Sequence, residues 1–137
     1  MSTFVLVPDA EPVAALLLRS GHAVHSASPD DVATVLERHD LTGVVLVGHD
    51  GAGAAIGAVA SARVAQQVYF DDGPRASTAA APARRRVYVH CTQRPEPPRV
   101  RLGEPGWEVT DLPAGDRPLD EQPDLVAALL EGLAATA

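Results

Sequence analysis

Asp50 is the residue best placed in this chain to do chemistry. It follows Val44-Val45-Leu46-Val47-Gly48-His49 and precedes Gly51-Ala52-Gly53. The run reads as a buried β-strand entering a tight turn of small residues, then a helix beginning near Gly51. Such a junction lifts one side chain to the carboxyl edge of a parallel sheet, where ligand crevices form. A carboxyl in a largely apolar pocket beside a second carboxyl has a raised pKa and shuttles protons near neutrality. Asp50 also has a purely structural reading, as an N-cap of the helix that follows. The strand ends of the chain carry Asp9, Ser26, Asp50, Asp71, Gln93 and Asp116, so four of these six residues are carboxylates. Oxygen-only ligands suit Mg²⁺ or Ca²⁺, yet no spacing motif supports a metal site, and no cofactor is expected. Gly51-x-Gly53 lacks the third glycine and the later acid of a dinucleotide fingerprint.

The elements that would hold these residues alternate. Thr3–Val7 reads as a strand ended by Pro8-Asp9, and Pro12–Leu18 as a helix with Pro12 in its first turn and Gly21 just past its end. His22–Ala27 reads as a second strand. Ser28-Pro29-Asp30-Asp31 offers an N-cap serine, an early proline and first-turn acids for a helix to about His39. Thr42–Val47 is a continuous apolar run, suited to a central strand covered on both faces. The Ala- and Gly-rich helix after Asp50 is expected to run to about Gln66, followed by a short strand at Val68–Phe70. Residues 73–83 read as a flexible linker. Arg86–Thr92 and Trp107–Leu112 read as strands, Val100–Leu102 is open between strand and helix, and Pro113–Pro123 reads as loop. Asp124–Ala135 closes the chain as a helix with Leu125, Leu129, Leu130 and Leu133 on its apolar face. The alternation predicts an α/β domain of about six mostly parallel strands flanked by helices on both faces.

Composition narrows the partners. One domain spanning residues 1–137 is long enough to bury a core. Aromatic content is low, so packing rests on Val, Leu and Ala, with Phe4, Tyr69, Phe70, Tyr88 and Trp107 as the large pieces. A net charge of −7 argues against general affinity for nucleic acid or anionic membrane. Arg84-Arg85-Arg86, the only basic run, reads as a solvated linker end. The single cysteine, Cys91, reads as a small buried hydrophobe. No apolar run reaches transmembrane length and no signal-peptide pattern is visible, so a cytoplasmic protein is expected.

With these residues in view, the chain resembles the α/β-hydrolase superfamily, in particular its small esterase and hydroxynitrile-lyase-like branch. The resemblance rests on Thr3–Val7 as the opening strand, Pro12–His22 as the first helix and turn, and Val44–Gly53 as the nucleophile elbow. Val68-Tyr69-Phe70-Asp71 and Gly106-Trp107-Glu108-Val109 match later strands. It implies a minimal α/β-hydrolase-like fold with the lid reduced to the 73–83 linker. Each functional position departs from the family pattern. Pro8-Asp9 stands where His-Gly helps build the oxyanion hole, and a carboxylate there opposes developing negative charge. Asp50 stands at the nucleophile, Gln93-Arg94-Pro95 where the triad acid often follows, and Asp116 after Leu112-Pro113-Ala114-Gly115, where the catalytic histidine usually lies. No histidine follows His90, so the Ser-His-Asp triad is absent.

Three functional readings follow. In the first, Asp50 and Asp116 are catalytic and share a proton as acid and base. Asp9, His49, Gly51, Asp71 and Gln93 line the pocket, and the reaction is a cyclisation, dehydration or isomerisation of a small or polyketide-like apolar substrate. The second, drawn from epoxide hydrolase and haloalkane dehalogenase relatives, makes Asp50 a nucleophile. The third is a non-catalytic binding or assembly module, with a homodimer covering the crevice that loss of the lid exposes. His49 and His90 read as packing residues and His25 as a solvated strand-end histidine.

Overall fold

The computed structural model describes residues 2–49, 52, 55–56, 59, 62–70, 85–93, 106–115 and 117–136. The strands are β1 (Thr3–Val7), β2 (Ala23–Ser26), β3 (Val44–Gly48), β4 (Val64–Phe70), β5 (Arg85–Cys91) and β6 (Glu108–Leu112). Among the described residues the full helices are α1 (Glu11–Arg19), α2 (Val32–Arg38), α3 (Pro118–Glu121) and α4 (Pro123–Ala135). The strands form one six-stranded sheet in the order β2-β1-β3-β4-β5-β6, and every pairing is parallel. β3 is buried along its whole length, as an uninterrupted apolar run requires when both faces are covered.

Two apolar layers sandwich the sheet. On one face Phe4, Leu6, Val45, Val47, Val68, Val87 and Val89 meet Val13 and Leu17 of α1, Leu119 of α3 and Val126 and Leu130 of α4. On the other, Val5, Val7, Leu46, Tyr69 and Tyr88 meet Val32, Val35 and Leu36 of α2 together with Ala52 and Ile56. Because α1 and α2 cover opposite faces, the chain winds outward from β1 to β2 and then back across to β3. Strand order therefore reverses at β1, and sheets of this kind take their ligands beyond the carboxyl ends of the strands at that point, here β1 and β3.

Both helices before this point stop by the same device. After α1, Gly21 (φ +88°) donates to Leu18 O and His22 to Leu17 O, the paired bonds that satisfy terminal carbonyls. After α2, Asp40 takes the left-handed conformation (φ 50°) while Asp40 N–H and Leu41 N–H reach Glu37 O and Leu36 O. The Asp40 carboxylate accepts from Arg63 Nη1 at 2.9 Å.

Four expectations need correction. α2 begins at Val32 behind an Asp31 N-cap, because the Asp31 carboxylate turns back to accept from Ser28 N–H and Ser28 Oγ. The helix expected to reach Gln66 has ended by Val64, where β4 begins. The segment 113–123 contains the short helix α3. Leu125 is 40% exposed, and α4 buries Val126, Ala127 and Leu130 instead. The linker at 73–83 and Val100–Leu102 lie outside the described residues. No helix among the described residues is long and apolar enough to cross a membrane.

Gly48 ends β3 against the opposite layer. A Cβ placed on it would lie 2.7 Å from Ile56 Cδ1 and 3.1 Å from Cγ1. Gly48→Ala is accordingly expected to cost about 1–3 kcal/mol through overpacking, read as a lower urea midpoint with an unchanged slope.

Candidate functional site

The candidate site at the strand-order reversal is formed by the residues that leave β1, β2 and β3. Val7 is in register with Gly48, and Leu6 with Ser26, so the three strand ends finish side by side. Pro8-Asp9 then turns the chain into α1. The Ser26 hydroxyl donates to Asp9 Oδ1 at 2.6 Å, a short charge-assisted bond between two exposed groups. The same edge is tied from the other side. His49 N–H donates to Val7 O at 3.1 Å, and its ring Nε2 lies 2.8 Å from Pro8 O. A carbonyl only accepts, so Nε2 carries a proton and donates it to Pro8 O. His49 thus clamps β1 to β3 through the residue before Asp9, a more specific task than simple packing.

Asp9, Ser26 and His49 are therefore gathered at the point where strand order reverses. Gln93 is not part of this group. It follows β5, its N–H donates to Ala114 O at 3.0 Å, and its side chain is exposed. Three strand spacings separate β1 from β5, about 14 Å. Asp50, Gly51, Asp71 and Asp116 lie outside the described residues. Asp50 is the residue after His49 and Asp116 the residue after Gly115. Among the described residues no cluster of three or more His, Cys, Asp or Glu side chains could hold a metal ion.

His25 has an unexpected neighbour. Its ring packs at 4.7 Å and 37° against that of His39, the C-cap of α2, so it is not simply solvated. Burial, and secondarily the charge of His39, hold its pKa below the ordinary value. The unfolded chain therefore takes up this proton first. The contribution to stability is complete above about pH 6.5 and is lost as pH falls through the depressed folded value. His39→Gln is expected to shrink the loss of melting temperature between about pH 7.5 and 5.5; an unchanged loss would contradict the coupling.

Sequence reasoning missed groups elsewhere in the sheet. Gln66 and Gln67 are buried in β4. Arg85 and Arg86 are half-buried strand residues rather than a solvated linker end. Arg85 forks onto the Glu108 carboxylate, through Nε to Oε2 and through Nη2 to Oε1 at 2.8 Å. Its Nη1 donates to Leu133 O at 3.0 Å and Thr136 Oγ1 at 2.8 Å, capping the end of α4. The Arg85 hydrogen bond holds the Glu108 carboxyl below its usual range. An arginine opening an apolar strand was the available signal.

No protein-family model matches the sequence, and no curated protein sequence matches it significantly. Solved structures do match in shape. A pyrethroid hydrolase from Sphingobium faniae JZ-2 superposes with a TM-score of 0.72 at 14% identity, over 98% of this chain and 97% of that one. An extracellular α/β-hydrolase from a Paenibacillus species gives a TM-score of 0.73 at 14% identity, over 96% of this chain and 98% of that one. With six parallel strands in this order and helices on both faces, the chain has the α/β-hydrolase fold.

Proposed function

We propose that this chain is an enzyme of α/β-hydrolase fold that performs carboxylate acid/base chemistry, without acyl transfer, on a small or polyketide-like apolar molecule. The observation that carries the proposal is the Asp9 carboxylate fixed at the reversal of strand order by Ser26. Acyl transfer calls for preorganised donors near the developing oxyanion, and an anion at that edge works against it. Two further points support the reading. His49, next to Asp50 in sequence, has its ring Nε2 bound to Pro8 O. The loop leaving β6 contains no histidine, so the imidazole that a Ser-His-Asp mechanism needs there is missing. Asp50 and Asp116 take the two proton-transfer roles. The ionised member removes a proton from carbon or hydroxyl, and the protonated member returns one to the rearranged product. No covalent intermediate forms.

The test uses cyclohexanone in D₂O, because exchange of its α-protons needs only a base and an acid. Accelerated deuterium incorporation, followed by NMR, together with no nitrophenolate burst from p-nitrophenyl butyrate, is the expected result. A burst, or an ester adduct on Asp50 after incubation with an epoxide, would mark a nucleophilic hydrolase. Absence of exchange with a panel of small cyclic ketones would favour a binding module.

A further inference from the structure

The amino ends of β5 and β6 form a concave feature, on the edge of the sheet opposite Asp9, Ser26 and His49. Arg85, Arg86, Gly106, Trp107 and Glu108 line an open cleft of about 320 Å³. That is the lower end of the range for small-molecule sites, room for one ring and its substituent. β5 is seven residues long, which puts about 20 Å between this cleft and the carboxyl edge.

The cleft is organised around Trp107. Tyr69 supports the indole from within the sheet, ring centroids 5.0 Å apart and inclined by 60°. The Arg86 guanidinium carbon lies 4.6 Å from the centre of the indole. Gly106 makes this stacking possible: it adopts φ +82°, and a Cβ there would come within 2.7 Å of Arg86 Nη2. The two arginines differ in their commitments. Arg85 is engaged with Glu108 and the end of α4 through all three of its nitrogens. That pair also occupies the carboxylate of the cleft. Among the described residues no carboxylate pairs with Arg86. The wall thus presents a planar cation with fork geometry, held flat by an aromatic ring and beside an already neutralised ion pair.

We infer that this cleft binds a small aromatic carboxylate. The carboxylate meets the Arg86 fork, where two parallel N–H···O bonds favour a planar anion, and the ring lies along the indole edge, where aromatic pairs gain from offset or edge contact. A tetrahedral inorganic anion would use the charge and leave the indole unused. The inference concerns a site apart from the crevice and does not rest on the acid/base reading.

Trp107 is the only tryptophan in the chain, so its fluorescence reports on this cleft alone. Benzoate titrated into the full-length protein should give a saturable change with a dissociation constant of about 1 mM or tighter. Benzamide, the same shape without the charge, should bind at least about tenfold more weakly. Arg86→Gln should weaken benzoate by about tenfold or more, followed by saturation-transfer NMR on the benzoate protons, because the variant itself alters the indole environment. Should Arg86→Gln fail to fold, the benzoate-to-benzamide ratio decides. Equal binding of benzamide, equal binding of inorganic phosphate, or no saturable change with benzoate would each overturn the inference.

Discussion

Asp50→Asn and Asp116→Asn are each expected to slow solvent exchange of cyclohexanone by about 10²–10⁴-fold, the usual contribution of a positioned acid or base. Both substitutions keep the side-chain shape, so far-UV circular dichroism should be unchanged. Because the proposed mechanism uses the two carboxyls as one unit sharing a proton, the losses should not add. The double variant should be little worse than the poorer single one. Additive losses would mean two independent roles. Retention of full activity in both single variants would remove the proposed chemistry altogether.

The second large effect is on stability and separates two neighbouring glutamines. Gln67 is 1% exposed; its Nε2 donates to Ile56 O at 2.8 Å, and its Oε1 accepts from the Tyr69 hydroxyl at 3.0 Å. Gln67→Leu removes both of these buried bonds, at a cost of about 2 kcal/mol. Gln66 is equally buried, but its Oε1 has no hydrogen-bond partner. Its Nε2 reaches Leu133 O at 3.2 Å, a carbonyl also served by Arg85 Nη1 and Thr136 Oγ1. Gln66→Leu therefore relieves an unmet acceptor and loses little, and should leave stability within about 1 kcal/mol of the parent or raise it. Urea denaturation of the two variants side by side reads the difference. Equal destabilisation would contradict this account of β4.

The same two residues explain where sequence reading stopped. β1 and β3 were legible as unbroken apolar runs and α1 by its helical spacing, each bounded by proline or glycine. β4 carries none. As a central strand it is covered on both faces, so alternation is not required of it. Gln66, Val68 and Phe70 lie toward one layer and Val64, Gln67 and Tyr69 toward the other, with the register shifting just after Val64, and the Ala-rich segment before it invited a continued helix. The site was legible as a set of strand ends, Asp9 and Ser26 among them, with His49 expected to line the pocket. Their grouping was not, because the Ser26–Asp9 bond and the His49–Pro8 clamp depend on β1 lying between β2 and β3. Gln93 belonged to the same edge but stood too many strands away. The arginines before β5 looked solvated by charge alone, whereas Arg85 and Arg86 run their stems along the sheet and place their heads on a carboxylate and an indole.

The account turns on whether carboxylates or an imidazole move the proton, and a pH–rate profile for cyclohexanone exchange asks this directly. Two coupled carboxyls predict a bell with two apparent constants that belong to the pair, reduced to a single limb in the residual activity of Asp50→Asn and of Asp116→Asn. A profile with a single limb, abolished in His49→Asn and indifferent to both aspartates, would assign the proton to the His49 ring and contradict the proposal.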